Sequence, residues 1–177
     1  MTGFEFLFSF YSLLLGLAVA RVATGLADNW RMRAKTSFGI STLLLGILVL
    51  LSVAQQWLSF WGARYVLTMG PWEVLTCMGM SLPYIFISQA MLPQEHDGCT
   101  DFDEHYLQNS RPLLLALLAP PTVSLAYNIA VQGFGWYAIK YMLPLVVPIV
   151  LAFSIRRWLH HAGLSLLVVH VLVLMFA

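Results

Sequence analysis

The sequence predicts an all-α integral membrane protein, a bundle of six transmembrane helices with both termini on the non-cytoplasmic side. Of the 177 residues, 60% are hydrophobic and only 10% are charged, against about 25% charged in an average soluble domain. The mean hydropathy is +0.80. The apolar residues also fall into six stretches of near-bilayer length, and a helix needs roughly 20 residues to cross.

The six stretches fill almost the whole chain. Because backbone N–H and C=O groups cannot stay unpaired in hydrocarbon, each stretch is predicted to be a helix. Six crossings leave only short connections, so we expect a single transmembrane domain over residues 1–177. The predicted spans are 4–27, 38–60, 72–92, 112–131, 136–155 and 158–176.

The first span carries small residues at steps of three and four. No basic segment precedes it and its apolar run is long, so we expect a retained helix rather than a signal peptide. At 3.6 residues per turn the small residues share one face, and in lipid such faces let helices pack closely. We predict a packing seam, within the protomer or between protomers, with a groove for a lipid tail or quinone as the alternative. The seam residues are Ser9, Ser12, Gly16, Ala20 and Ala23.

Polar side chains near the outer ends of four spans form a candidate intramembrane polar site. They are Glu5, Gln55, Gln56, Glu73 and Lys140. Charges at this depth reach water easily, whereas a charge at mid-bilayer costs about 2.5–3.5 kcal/mol. One interpretation is an ion pair of Lys140 with Glu5 or Glu73. Separate interfacial charges, amides that bond neighbouring helices and an ion entry site are the alternatives.

The longest connection, residues 93–111, holds five of the eight acidic residues. We expect an acidic cytoplasmic loop in which Thr100 caps a short helix that begins at Asp101 and reaches Tyr106. Its histidines, cysteine and carboxylates have neither zinc nor EF-hand spacing. The sequence therefore predicts a solvated loop and no metal site.

Prolines interrupt the fourth and fifth spans. Pro120 and Pro121 are expected to break the fourth near its middle, and Pro144 and Pro148 lie on one face of the fifth with Lys140. Each proline removes a helical hydrogen bond. Transporters use the carbonyls of broken helices as ion sites, although kinked helices also occur in proteins that transport nothing.

Basic residues predict the orientation of the bundle. The first, third and fifth connections carry six lysines and arginines, and the second and fourth connections with their flanks carry two, so the odd-numbered connections are expected to be cytoplasmic. Tryptophans at the span ends fit interfacial anchors. The six cytoplasmic cations are Arg31, Arg33, Lys35, Arg111, Arg156 and Arg157.

No catalytic motif stands out in the chain. The net charge of +1 argues against a nucleic-acid partner, and a single deep histidine, His170, argues against a haem held between two histidines. We therefore predict a non-enzymatic accessory or scaffold subunit without a cofactor, packed in the lipid bilayer against other membrane subunits or copies of itself. The alternative is a small oligomeric transporter or channel built on the proline-broken spans; a lipid or quinone enzyme is a third hypothesis.

Two segments carry a family resemblance. Phe4–Glu5 runs into a long helix with Gly16–Ala18, and a Tyr106–Asn109–Arg111 element precedes a later helix. Together they resemble an uncharacterised group of small bacterial multi-pass membrane proteins. The resemblance implies a location in the bacterial inner membrane, and it implies no activity.

Overall fold

The structure, a computed structural model, describes residues 2–32, 39–65, 70–92, 101–135 and 138–176. Its secondary structure confirms the all-α prediction, because these residues form helices joined by short connections. The helices are α1 (Gly3–Met32), α2 (Ile40–Gly62), α3 (Pro71–Ala90), α4 (Phe102–Leu117), α5 (Ala119–Gln132), α6 (Ile139–Ala152) and α7 (Arg157–Phe176).

Four helical segments in the described ranges are long and apolar enough to cross a membrane. Two of the remaining helices differ from these in length or composition. α3 has 20 residues with Glu73 in its first turn, and α6 is apolar but has only 14 residues. Length and composition thus indicate a membrane protein. The four membrane-length segments are Gly3–Asp28, Ile40–Gly62, Phe102–Gln132 and Arg157–Phe176.

The fourth predicted span begins too late. The sequence predicts a short helix from Asp101 to Tyr106 inside the connection and a span from residue 112, whereas α4 starts at Phe102 and runs without interruption through Arg111. Asp101 is the N-cap, because its side chain accepts a hydrogen bond from the Asp103 N–H at 2.9 Å. Phe102, Tyr106 and Ser110 follow at helical spacing and are buried, so tertiary packing stabilises a polar segment as helix. Thr100, the predicted cap, lies outside the described residues.

The break in this span lies where the prolines predicted it. Leu118 alone separates α4 from α5. Pro120 and Pro121 have no N–H to continue the α4 hydrogen-bond ladder, and they are tolerated in the first turn of α5. The Leu118 N–H turns back to the Leu115 carbonyl, and the Thr122 hydroxyl donates to the Leu118 carbonyl at 2.7 Å. α5 therefore starts a new run of helical hydrogen bonds after Leu118.

The helices pack in a ring, in the order α1, α3, α4 with α5, α6, α7 and α2. Three hydrogen bonds set their directions. The hydrogen bond from Trp57 to Ser12 places the end of α2 beside the start of α1. The hydrogen bond between His170 and the Lys140 carbonyl places the end of α7 beside the start of α6. The hydrogen bond from the Ser41 N–H to Asp103 joins the starts of α2 and α4. We call the end where α2, α5 and α7 finish the mouth end, and the opposite end the closed end.

The two halves of the bundle are packed differently. Towards the closed end α4 contacts α2, α3 and α6, and Tyr106, Leu113, Leu114 and Leu164 are fully buried there. Beyond the break, α5 packs against α3 and α6 and leaves a space between itself and α2. The cavity therefore lies beyond the break at Leu118, in the mouth half of the bundle.

Candidate functional site

The space between α5 and α2 is a cavity of about 580 Å³, within the range of 300–1,000 Å³ typical of small-molecule sites. Its wall comes from α2, α3, α5, α6 and α7, while α1 contributes none of the lining residues. Leu48, Leu117 and Leu167 form the deep part, and Ala63 and Gln132 lie at the mouth end. The cavity thus reaches from the mouth end to about the middle of the bundle.

The α2 wall is a polar stripe on an otherwise apolar helix. Ser52, Gln55, Gln56 and Ser59 line the cavity, and their steps of three, one and three residues place them on one helix face. Gln55 Nε2 donates to Ser59 Oγ at 3.3 Å. Gln56 Nε2 lies 2.8 Å from the sulfur of Met80, which is a weak acceptor.

The opposite wall is a hydrogen-bond network between α5 and α6. Asn128 Nδ2 donates to the Ser124 carbonyl at 2.8 Å and to the Tyr141 hydroxyl at 3.1 Å. Its Oδ1 accepts from Gln132 Nε2 at 3.4 Å. All four residues line the cavity. Neither Asn128 nor Tyr141 belongs to the polar site predicted from the sequence, because their meeting depends on how α5 packs against α6.

His170 and Lys140 meet at the mouth end of this wall. His170 Nε2 lies 3.0 Å from the Lys140 carbonyl oxygen. A carbonyl only accepts, so Nε2 carries the proton and Nδ1 of the neutral ring is an acceptor. Pro144, four residues after Lys140, lacks the N–H that would bond this carbonyl in a regular helix. His170 therefore satisfies a carbonyl that a proline has freed.

The charge of Lys140 is not neutralised by an ion pair with any described residue. Its Nζ lies 5.1 Å from the centre of the Tyr141 ring, a cation–π distance. Neither Glu5 nor Glu73 pairs with it in the described part of the chain. Lys140 lines the cavity together with Gln55 and Gln56, so the structure brings together three of the five residues of the predicted polar site.

The two glutamates of that predicted site lie at helix starts outside the cavity lining. Glu5 Oε2 accepts from the Thr2 N–H at 2.8 Å, and the Glu5 N–H donates to Thr2 Oγ1 at 3.2 Å. This reciprocal pair is a capping box, which explains a threonine followed three residues later by a glutamate. The carboxylate of Glu73 turns back over Gly70 at the start of α3.

The small-residue stripe of α1 faces away from the bundle. Ser9, Gly16, Ala20 and Ala23 are exposed, and a Cβ added at Gly16 would meet no atom within 4 Å. Of the five stripe residues, Ser12 has a hydrogen bond to another helix, accepting from Trp57 Nε1 at 2.9 Å. The larger residues instead form the inward face, which consists of Leu7, Tyr11, Leu15, Ala18 and Val22. A seam between protomers therefore remains a prediction.

A pair of buried polar side chains joins α4 to α7 near the closed end. The Tyr106 hydroxyl and His160 Nδ1 are 3.0 Å apart, and His160 Nε2 lies 3.0 Å from the Ser154 carbonyl. In a neutral ring whose Nε2 donates to the carbonyl, Nδ1 accepts from the tyrosine hydroxyl, so that both nitrogens are satisfied. Both side chains are fully buried. Water has no access to this part of the bundle.

An ionic cluster covers the same end. Asp103 Oδ1 accepts from the Ser41 N–H at 2.8 Å and so caps the start of α2. Its other oxygen lies 3.8 Å from His161 Nε2, and Arg157 lies 3.9 Å from Asp101. These contacts tie the starts of α2, α4 and α7 together.

The described residues of the cavity do not resemble a metal-binding site. In the described ranges no group of three histidine, cysteine or acidic side chains is placed to hold a metal ion. The metal-capable residues Glu95, His96, Asp97 and Cys99 of the acidic connection lie outside those ranges. Comparisons with protein-family models, curated proteins and solved structures returned no match.

Proposed function

We propose that the protein is a multi-pass carrier of the inner membrane that takes up a small molecule through the mouth end. The observation that carries this proposal is the cavity of about 580 Å³, lined by amide, hydroxyl, lysine and histidine side chains inside an apolar bundle. Polar side chains within a membrane bundle are costly and generally mark a ligand or ion pathway. Among the sequence-based hypotheses, the transporter agrees better with this geometry than the accessory subunit.

The proposed topology has six crossings. α3 and α6 pack in the same ring as the four longer segments, which supports counting them as crossings, although α6 is only about 21 Å long at 1.5 Å per residue. Arg31, Arg156 and Arg157 lie at the closed end, and Arg33 and Lys35 belong to the same connection as Arg31. Under the positive-inside rule the closed end is cytoplasmic, and the mouth and both termini are outside.

A carrier accounts for the closed half better than a channel does. A channel needs a continuous polar path, whereas Leu113 and Leu114, one turn before the deep end of the cavity, are fully buried. Tyr106 and His160 then bridge α4 to α7. A site accessible from one side and sealed on the other is one state of an alternating-access cycle, in which the break at Leu118 provides the bend between the two halves.

Cysteine labelling in oriented proteoliposomes tests the proposal. In a background with Cys77→Ala and Cys99→Ser, a membrane-impermeant thiol reagent should label Asn128→Cys from the mouth side. It should also label Ser110→Cys, buried in this state, slowly from the closed side. Ala126→Cys, an exposed residue of α5 outside the cavity, is the matched control and should stay unlabelled in lipid.

The labelling pattern separates the functional classes. In a carrier, the reagent reaches the mouth-side cysteine from outside and the closed-side cysteine from the cytoplasmic face, and the two positions are not accessible in the same state of the molecule. A channel labels Asn128→Cys from both sides. Labelling of Ser110→Cys that stays at the background rate after long incubation would contradict a carrier, because the closed half then never opens.

The accessory-subunit hypothesis keeps one specific observation in its favour. Ser9, Gly16, Ala20 and Ala23 present a small-residue stripe outside the bundle, next to an apolar groove between α1 and α2 that Gly16 and Ala54 help to line. Small-xxx-small spacing is a common helix-association motif in lipid. We propose a transmembrane helix as the occupant, from a partner or from a second copy of this chain.

Gly16→Leu tests that second function without disturbing the protomer, since the position has open space around it. It should reduce crosslinking or co-purification in native membranes, while Leu13→Phe, an exposed change on the same helix, should not. Self-association measured with two differently tagged copies distinguishes a homo-oligomer from a foreign partner. Unchanged association of Gly16→Leu would exclude this face.

A further inference from the structure

We propose that the cavity binds an organic anion with an apolar body, such as a fatty acid or another amphiphilic carboxylate. This inference rests on the proposed function, because it names the class of molecule that the cavity holds. The carboxylate is placed beside Lys140 at the mouth end, and the apolar body extends towards the deep part of the cavity.

The charge of the cavity is positive. Lys140 is the only charged side chain among the described lining residues, which include no aspartate or glutamate. Lys140 is exposed at the mouth end and has no ion-pair partner among the described residues, so a bound anion would supply a counter-charge. A cationic ligand would meet a like charge without any carboxylate to offset it.

The weakly bonded Gln56 amide also suits an acceptor-rich ligand. Gln56 directs its amide N–H towards a weak thioether acceptor, so an incoming oxygen is a better partner. Asn128 already uses its amide group within the wall, so it holds the wall together rather than reaching for the ligand. A carboxylate, with two oxygens and about four lone pairs, can accept from several donors at once.

Apolar residues line the cavity over its whole depth. Leu48, Leu117 and Leu167 form the deep part, and Pro120, Pro144 and Leu174 add apolar surface towards the mouth. Burial of an alkyl chain there gains about 0.8 kcal/mol per CH₂ group. A free inorganic anion would leave this surface unused, so the largely apolar lining favours an amphiphile.

Binding of labelled dodecanoate to the full-length protein in zwitterionic nanodiscs tests the inference, with empty nanodiscs as blank. Dodecanol and dodecyltrimethylammonium, as competitors, keep the tail but change the head, and butyrate keeps the head but shortens the tail. We expect dodecanoate to bind at least tenfold more tightly than any of the three, which corresponds to about 1.4 kcal/mol. Strong butyrate binding would instead identify a water-soluble anion, and equal binding of the cation would overturn the charge argument.

Lys140 variants locate the carboxylate. Lys140→Arg should retain affinity, whereas Lys140→Gln should weaken dodecanoate binding roughly three- to tenfold and Lys140→Glu more. Dodecanol binding should change little in all three variants. Arg64→Gln is the matched control, because Arg64 is a cation near the mouth end that does not line the cavity. An equal loss in Arg64→Gln would attribute the effect to general surface charge and contradict the inference.

A blocking variant separates failure of the ligand class from failure of the cavity as a site. Thr76 lines the cavity and its neighbour Leu75 is exposed outside it. Thr76→Trp should abolish dodecanoate binding and Leu75→Trp should not. If dodecanol or the cation binds best and Thr76→Trp still blocks it, the carrier proposal stands and the anion inference fails. If Thr76→Trp leaves all binding unchanged, the cavity is not the site and both fail.

Discussion

Tyr106→Phe removes one hydroxyl from the packed half of the bundle and should destabilise it measurably. His160 keeps its Nε2 bond to the Ser154 carbonyl at 3.0 Å, so its tautomer cannot switch, and Nδ1 loses the donor it had at 3.0 Å. Both side chains have 0% exposure, which keeps water from replacing the hydroxyl. An unpaired buried acceptor costs about 1–3 kcal/mol, and polar pairs between membrane helices average about 0.6. We expect a loss of about 1–2 kcal/mol.

Denaturation in mixed micelles with increasing SDS measures this loss. The same change weakens the seal that a carrier must open, so the rate of closed-side labelling of Ser110→Cys should rise roughly 5–30-fold for 1–2 kcal/mol. His160→Phe should cost more than Tyr106→Phe, because it removes both hydrogen bonds.

A tyrosine at the surface provides the control for this prediction. Tyr65 is 84% exposed, and its hydroxyl accepts from Arg64 at 3.2 Å, so Tyr65→Phe should change stability by less than about 0.5 kcal/mol. If Tyr106→Phe is as stable as the wild type, or if it is labelled no faster at Ser110→Cys, then the hydroxyl does not help to hold α4 against α7.

Two further substitutions test the packing and the proline interpretation. Gly163→Val should destabilise the protein by about 1–3 kcal/mol, because a Cβ there would lie 2.8–2.9 Å from both methyl carbons of Leu151. Gly16→Val, where a Cβ meets open space, should not destabilise it. Equal SDS unfolding midpoints of the two variants would contradict this prediction. His170→Phe should lower the free energy of unfolding by about 1 kcal/mol, because it leaves the Lys140 carbonyl unpaired. Pro144→Ala restores an N–H for that carbonyl, so in the double variant the loss caused by His170→Phe should be smaller. Additive losses of the two substitutions would show that His170 does not compensate for the proline.

The fourth span shows where a hydropathy pattern is insufficient. α1, α2, α3 and α7 are continuous apolar runs, and their bounds lie close to the predicted ones. α4 begins with a polar segment whose buried residues, Phe102, Tyr106 and Ser110, occupy a single face. A hydropathy value averaged over a segment does not reveal a helix that buries only one face, but the helical spacing of these three residues can be read from the sequence.

The α1 stripe illustrates a different limit. Spacing alone places Ser9, Gly16 and Ala20 on one side of a helix, but it does not determine which side faces the other helices of the protomer. The opposite side carries Leu7 and Tyr11, and these larger residues are fully or almost fully buried. Which face is buried depends on the neighbouring helices, and the sequence of α1 contains no information about them.

The cavity was predictable only in its parts. Gln55, Gln56 and Lys140 were recognised because polar side chains stand out within apolar spans, but their distances from one another depend on the ring order of the helices. His170 was noted as the one histidine deep in a span. Its partnership with Lys140 follows from a missing N–H at Pro144, a relation between residues 30 positions apart in the chain.

The ring order also constrains biogenesis. The polar stripe of α2, with Gln55 and Gln56, emerges from the ribosome early, while α5, α6 and α7, which enclose it, are synthesised in the second half of the chain. Until Arg157–Phe176 arrives and closes the circle against α2, these amides have no completed cavity to occupy. The nascent chain must therefore shelter that face, within the insertion machinery or at the lipid headgroups, and a chain truncated before α7 should be recognised by quality-control proteases rather than accumulate.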